Sequence, residues 1–226
     1  MKPLISEVQD TNTLQELGRA SVQIVHDLKN QLNGLKLYAT FLRKRMEKGD
    51  RPIDEQETVG KLINGLERAA SDMTLLVRYG RPIELRRQPG VSLGEIVRSN
   101  SSQEQEGIHS IHINAGDDAL EGEFDVTALT ESFRAITTGA LKLRPAQAKE
   151  PVEVNLHRES DGSDTTAIIE WRGLQIEDEL DPFHSFAGSD GLRMAMASKI
   201  IEAHGGKATT EGGDKLIVRL PVKTVK

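Results

Sequence analysis

The sequence predicts an α+β protein in which a long N-terminal helical hairpin precedes an α/β sandwich. Two observations predict the hairpin: apolar residues recur every three or four positions from Leu14 to Met46, and do so again from Val59 to Val77. A third observation predicts the sandwich, because short strand-like runs alternate with helical runs after Pro89.

A short turn separates the two helices of the hairpin. Gly49 suits the end of the first helix, Pro52 suits the start of the second, and Gly80 with Pro82 ends the second. One hairpin cannot bury two apolar stripes of this length, whereas two copies side by side form a four-helix bundle that can. We therefore predict a homodimer through the hairpin.

The rest of the chain contains four strand-like and two helical runs. The strand-like runs are residues 109–113, 152–156, 166–171 and 215–220, and the helical runs are residues 125–143 and 191–204. The stretches SDGSD (residues 160–164) and GGD (residues 212–214) predict tight turns. This pattern predicts two domains, a helical hairpin over residues 1–84 and a sandwich over residues 85–226.

Composition narrows the class of protein. Hydrophobic residues make up 37% and charged residues 28% of the 226 residues, which is typical of a soluble globular protein. The net charge of −6 argues against a nucleic-acid partner, and the absence of cysteine excludes disulfides and thiolate sites. The apolar runs are far shorter than the roughly 20 residues that span a bilayer. We expect a cytoplasmic protein without a membrane segment.

A polar cluster lies on the first helix, in the stretch IVHDLKNQLNGLKL (residues 24–37). His26, Asp27 and Asn30 lie just off the apolar face of this helix. Asn30 follows His26 by four residues and therefore lies on the same side of the helix. A solvated helix surface is one interpretation of this cluster, and a reactive histidine with polar helpers is the other.

Several motifs resemble those of the transmitter core of bacterial two-component sensor histidine kinases. The stretch HDLKNQLN (residues 26–33) resembles the phosphoacceptor box, and DPFHSF (residues 181–186) resembles the phenylalanine-rich box. The stretch GLRMAMASKIIEAHGG (residues 191–206) resembles the second glycine box and its helix. The resemblance covers nearly the whole chain and implies a kinase-like hairpin and ATPase-like sandwich.

The resemblance also implies roles for the polar cluster. His26 would be the nucleophile towards a phosphoryl group, and Asp27 would hold its other ring nitrogen. Asn30 would orient an incoming phosphoryl group or a hydrolytic water.

The sequence departs from the family pattern at the ATP site. The two asparagine positions of the magnesium-binding helix fall on Ala135 and Gly139, and Trp171 stands where the family has the adenine-reading aspartate. Gln175 and Arg193 replace glycines that let the backbone approach nucleotide. We therefore expect no bound ATP, no metal and no other cofactor.

An intact phosphoacceptor box beside a lost ATP site resembles the dimeric histidine phosphotransferases. This resemblance implies that His26 carries phosphoryl groups between the aspartates of receiver domains without ATP. Response-regulator receivers are the expected partners, and we expect them to dock near Leu35, Leu37 and Tyr38.

Two alternatives stay open. The chain could be an autokinase with an atypical pocket, in which case it needs ATP and magnesium. It could also be a receiver-binding phosphatase or scaffold, in which case Asn30 would place the attacking water.

Other candidate residues have simpler interpretations. Trp171 is interpreted as a core or interface residue, and His184 as loop surface. His204 suits the last turn of a helix, where the dipole favours it. Arg193 suits a salt bridge at least as well as a phosphate site. His112 is interpreted as a strand residue rather than a metal ligand.

Overall fold

The computed structural model describes residues 28–44, 53–102, 111–115, 120–161, 164–177, 181–186 and 188–222, together with Val25 and Met46. The chain forms two compact units that divide between Pro82 and Ile83. Each unit is described separately below.

The first unit is the helical hairpin. Helix α1 is described over residues 28–44, and helix α2 spans Ile53–Tyr79. An ion pair joins the two helices, with 2.7 Å between Lys36 Nζ and Glu67 Oε1. Ala39 lies one turn after Lys36 and Ile63 one turn before Glu67. These two buried side chains, 2% and 5% exposed, therefore lie on the faces that the ion pair joins.

The second unit is the sandwich. Its elements are β1 (Gln88–Ser92), α3 (Leu93–Ser102), β2 (Ile111–Ala115), β3 (Glu121–Phe124), α4 (Val126–Leu143), β4 (Val152–Asp161), β5 (Asp164–Arg172), α5 (Gly188–Ala203), β6 (Lys207–Glu211) and β7 (Lys215–Val222). Asp125 caps α4, because its side chain accepts a hydrogen bond from the backbone N–H of Ala128 at 3.0 Å.

Two sheets organise this unit. The larger has five strands in the order β2-β4-β5-β7-β6, and the smaller pairs β1 with β3. Strands β2 and β4 are parallel, while the other neighbours are antiparallel. Asp161 pairs with Asp164, so two residues separate β4 from β5 in the stretch where the sequence predicts a tight turn.

Alternate residues of the central strands supply one wall of the core, since successive side chains in a strand point to opposite faces. They are Val152, Val154 and Leu156 of β4, Ala167, Ile169 and Trp171 of β5, and Leu216, Val218 and Leu220 of β7. Helices α3, α4 and α5 supply the opposite wall, with Ile96, Phe133 and Ile201 among the buried side chains.

The predicted α+β class, with a helical N-terminal region and an α/β sandwich, is confirmed. Strands β1, β3 and β6 and helix α3 are elements that the sequence analysis does not predict. Helix α5 begins at Gly188, three residues before the predicted start. The predicted first helix before Val25 lies outside the described residues.

Candidate functional site

Helix α1 carries the part of the predicted phosphoacceptor box that the structure describes. Asn30 is a helical residue with an exposed side chain. His26 and Asp27 lie outside the described residues, so their place in the site stays a prediction.

Two large apolar side chains lie on the same side of α1 as Asn30. Leu37 and Phe41 follow Asn30 by seven and eleven residues, which are whole numbers of helical turns to a good approximation. They are 53% and 55% exposed. We call Asn30, Leu37 and Phe41 the acceptor stripe, after the predicted phosphoacceptor box to which Asn30 belongs.

A second set of exposed apolar residues recurs along each helix with a spacing of seven or fourteen residues. It consists of Leu28, Leu35 and Leu42 on α1 and Leu62 and Leu76 on α2, and each is between 40% and 53% exposed. Residues seven apart lie on one seam of a helix, which is the pattern of helices that pack lengthwise against a partner. We call these five residues the seam stripe.

The two stripes separate residues that the sequence analysis groups together. Leu35 and Leu37 are two positions apart, so their side chains leave α1 roughly 160° apart. Tyr38 lies beside Leu35 on the seam side rather than beside Leu37. Of the three residues expected at the receiver surface, Leu37 alone shares the side of Asn30.

In the sandwich, Trp171 is buried rather than open to a ligand. Its side chain is 1% exposed, and its indole N–H donates a hydrogen bond of 3.0 Å to Thr137 Oγ1 on α4. The ring also packs against Phe133, with 6.1 Å between ring centroids. The interpretation of Trp171 as a core residue is confirmed, and Thr137 is the polar partner that sequence reasoning missed.

Gly139 on α4 faces helix α5. A Cβ atom added at Gly139 would lie 2.3 Å from Met194 Sδ and 3.1 Å from Met194 Cγ. Met194 therefore occupies the space that a side chain at position 139 would need. The contact joins residues 55 positions apart, so no local sequence signal could have revealed it.

The first turn of α5 carries a negatively charged side chain. The carboxylate of Asp190 forms an ion pair with Lys142 in the last turn of α4. A negative side chain in the first turn of a helix is favoured by the helix dipole, which would otherwise favour an external anion. Gly191 follows directly, and a Cβ there would lie 2.8 Å from Ser185 Oγ and 3.2 Å from the carbonyl carbon of Phe186.

The loop after β5 is held by backbone hydrogen bonds. Leu174 N–H donates to Asp214 O, Gln175 N–H to Leu143 O and Ile176 N–H to Gly213 O, at 2.8–3.1 Å. Gly173 has a φ of 85°, a backbone conformation that favours glycine. These three backbone N–H groups are therefore already hydrogen-bonded to carbonyl groups of the same unit.

The remaining candidate residues lie at the surface. His184 is exposed, and its Nδ1 lies 2.7 Å from Asp181 Oδ2 within the same turn. Arg193, Gln175 and His112 are exposed as well. Across the described part of the chain, no group of three or more His, Asp or Glu side chains is arranged to hold a metal ion.

Among the described residues, none forms a helix with the length and apolarity needed to cross a bilayer.

The sequence is similar to that of a known sensor histidine kinase. No protein-family model matches the sequence. The chain is 24% identical over 236 aligned residues to the sensor histidine kinase ZraS of Salmonella typhi, and the alignment covers 98% of this chain and 49% of ZraS. The chain thus spans about half the length of this curated relative.

Solved structures show the fold. Full-length ShkA in complex with AMPPNP matches with a TM-score of 0.65 and 19% identity, over 90% of this chain and 45% of that one. The histidine kinase ThkA in complex with the response regulator protein TrrA matches with a TM-score of 0.59 and 20% identity, over 96% and 65% of the two chains. The chain has the fold of a two-component histidine-kinase core.

Proposed function

We propose that the chain is a histidine phosphotransfer protein of a two-component phosphorelay, which moves phosphoryl groups between receiver aspartates through His26 without using ATP. The observation that carries the proposal is that the protein's own side chains fill the region between α4, α5 and the end of β5. Met194 occupies the space at Gly139, and Trp171 is buried on Thr137. This filling supports a core whose phosphoryl group comes from another protein.

Charge in the same region supports the proposal. Asp190 and Lys142 neutralise each other at the start of α5, where a nucleotide phosphate would meet the helix dipole. A bound phosphate would have to compete with the Asp190 carboxylate for that cation and that helix end.

The proposed transfer conserves atoms and charge. A neutral ring nitrogen of His26 attacks the phosphorus of an aspartyl phosphate on a receiver. The new N–P bond forms as the P–O bond to the receiver carboxylate breaks, and that carboxylate leaves as the free anion. Asp27 holds the proton on the other ring nitrogen throughout. Attack by the aspartate of a second receiver on the phosphohistidine reverses these changes.

The acceptor stripe supplies the surface for the receiver in this proposal. Leu37 and Phe41 are exposed apolar side chains on the side of α1 that also carries Asn30. Apolar anchors of this kind, surrounded by polar residues, are typical of docking surfaces. Asn30 would donate its amide N–H groups to the phosphoryl oxygens as the receiver presents them.

The seam stripe supplies the dimer interface in this proposal. Leu28, Leu35 and Leu42 with Leu62 and Leu76 are exposed in a single chain and would be buried when two hairpins form a four-helix bundle. The acceptor stripe would stay open on the outside of that bundle. We place this dimer in the cytoplasm together with its receivers.

A labelled-phosphate transfer assay tests the proposal. A set of purified receiver domains is charged with ³²P-acetyl phosphate, freed of the donor and mixed with the full chain without nucleotide. We expect label on the wild-type protein and none on the His26→Ala variant. Asn30→Ala should slow transfer by roughly tenfold, the effect of one hydrogen bond to a charged group. Asn64→Ala, an exposed asparagine on α2, is the matched control and should transfer normally.

Similarity to a sensor kinase favours a second candidate, an ATP-dependent autokinase. Calorimetric titration with magnesium-ATP separates the two candidates. Absence of binding at millimolar nucleotide supports the phosphotransferase, whereas micromolar affinity would move the autokinase to first place. Receiver dephosphorylation that Asn30→Ala abolishes and His26→Ala spares would instead indicate the phosphatase.

A further inference from the structure

A buried histidine outside the proposed site links three segments of the sandwich. His204 follows the last residue of α5 and is 2% exposed. Its Nδ1 lies 2.8 Å from Ile200 O, and its Nε2 accepts the backbone N–H of Asp125 at 3.0 Å. Because a carbonyl can only accept, Nδ1 carries the proton and the ring is neutral.

Asp125 extends the link to the segment that enters the sandwich. One carboxylate oxygen accepts the N–H of Ala128 at 3.0 Å and so caps α4, while the other accepts the N–H of Arg86 at 2.8 Å. The carboxylate therefore binds both the N-terminus of α4 and the chain that enters the sandwich. Both bonds have an ionised acceptor, which makes them stronger than neutral hydrogen bonds.

Arg87 completes the link at the other helix. Its guanidinium donates a hydrogen bond of 2.6 Å to Ala203 O in the last turn of α5, where the helix dipole favours a cation. Strand β1 begins at the next residue, and Gln88 pairs with Phe124, which directly precedes Asp125. Two hydrogen bonds thus anchor Arg86 and Arg87 directly, and the bond from Asp125 N–H to His204 and the pairing of β1 with β3 support them.

We propose that Arg86, Arg87, Asp125 and His204 form a clamp that fixes the incoming chain to the start of α4 and the end of α5, so that the joint between the two units is limited to residues 82–85. On one side of this joint, α2 ends with hydrogen bonds from Gly80 N–H to Leu76 O and from Arg81 N–H to Arg78 O. On the other side the clamp begins at Arg86. The division between the two compact units falls inside this interval.

The clamp holds the first residues of the sandwich against the ends of two helices. When Arg87 releases Ala203, the chain from residue 86 to the end of β1 loses an anchor and opens locally more often. The inference goes beyond phosphotransfer and holds whether or not His26 carries phosphate.

Hydrogen exchange of the full-length chain, followed by mass spectrometry, tests the clamp. In the Arg87→Ala variant we expect peptides covering residues 86–92 to exchange roughly tenfold faster, which corresponds to the loss of one charge-assisted hydrogen bond. Peptides from β5 and β7 should be unchanged. Arg87→Lys keeps the cation and should show a smaller increase. Arg193→Ala removes an exposed arginine near the opposite end of α5 and should change nothing in residues 86–92.

Two results would overturn the clamp. Unchanged exchange of residues 86–92 in Arg87→Ala would show that Arg87 does not anchor the segment. Equal acceleration in β5 and β7 would show that the contact stabilises the whole sandwich rather than a local element. Neither result bears on phosphate transfer, so failure of the clamp and failure of the proposed function are distinguishable.

Discussion

The hairpin and the sandwich differ in how many of their large apolar side chains are exposed. Among the described residues, the exposed large hydrophobics of the hairpin are Leu28, Leu35, Leu37, Tyr38, Phe41, Leu42, Leu62 and Leu76, and those of the sandwich are Val126 and Phe186. The sandwich completes its core within one chain, whereas the described part of the hairpin leaves much apolar surface exposed. The surface that the proposed dimer and receiver contacts require therefore lies on the hairpin.

The largest expected effect tests whether the two stripes of the hairpin have different partners. Leu35→Ala should raise the dissociation constant of the homodimer by about 100-fold. Each copy loses roughly 1.5 kcal/mol of apolar burial, and the change is present twice in a symmetric dimer. Sedimentation analysis over a concentration series measures this constant.

Leu37→Ala is the matched control, because Leu35 and Leu37 are both 53% exposed on the same helix. It should leave the dimer intact and weaken receiver binding instead. A dimer that Leu37→Ala weakens as much as Leu35→Ala does would show that the stripes are wrongly assigned.

An intermediate effect tests the closed packing of the sandwich. Gly139→Leu should lower the free energy of unfolding by about 1–3 kcal/mol, because the new side chain must displace Met194. The cost should shrink in a Met194→Ala background, and urea unfolding of all four proteins measures the coupling between the two positions.

Gly65 provides the opposite case in the hairpin. A Cβ there meets no atom within 4 Å among the described residues, so Gly65→Leu should stabilise α2 by about 0.5–1 kcal/mol. If both leucine substitutions had the same effect on stability, Met194 would not occupy the space at Gly139.

The smallest expected effect is a pH dependence of the stability of the sandwich. Burial lowers the pKa of His204 below its ordinary value of 6.5; the Ile200 carbonyl and Asp125 oppose this, and Arg87 reinforces it. Burial opposes ionisation of Asp125, but the N–H donors of Ala128, Arg86 and Thr127 together with His204 outweigh burial and hold its pKa below 3.8.

Both pKa shifts make the folded state less stable as the pH falls, because the unfolded chain binds more protons than the folded one. The His204 contribution is present above pH 6.5 and is lost as the pH falls through the folded value; the Asp125 contribution follows below pH 3.8. Urea midpoints of wild type and His204→Gln from pH 7.5 to pH 5 measure the first loss, which should be smaller in the variant. His157→Gln, which replaces an exposed strand histidine, is the matched control variant. A wild-type midpoint that is constant over this range would contradict the expectation.

Sequence patterns were sufficient for the long elements. Helices α2 and α4 and strands β4, β5 and β7 combine a clear apolar period with turn residues at their ends, so local signals agree with the fold. The missed elements are short or mixed in composition. Strand β3 has four residues, and β1 contains Pro89 and Gly90, so neither offers a pattern that differs from a loop.

Sequence reasoning could predict less of the candidate site than of the fold. The absence of asparagine at position 139 can be read directly, but the filling of that space by Met194 depends on how α4 packs against α5. Likewise, the sequence predicts a single apolar stripe for α1, because periodicity cannot tell the face that packs on α2 from the faces that stay open. The sequence places His204 at the C-terminal end of α5, where it directly follows the last helical residue, while its bond to Asp125 joins residues 79 positions apart.

The burial of Trp171 has a practical consequence for spectroscopy. It is the protein's single tryptophan, and it lies in the sandwich core with its indole N–H bonded to Thr137. Both tyrosines, Tyr38 and Tyr79, belong to the hairpin. Tryptophan emission therefore reports the sandwich alone and tyrosine absorbance reports the hairpin, so one unlabelled sample carries a separate optical signal for each unit.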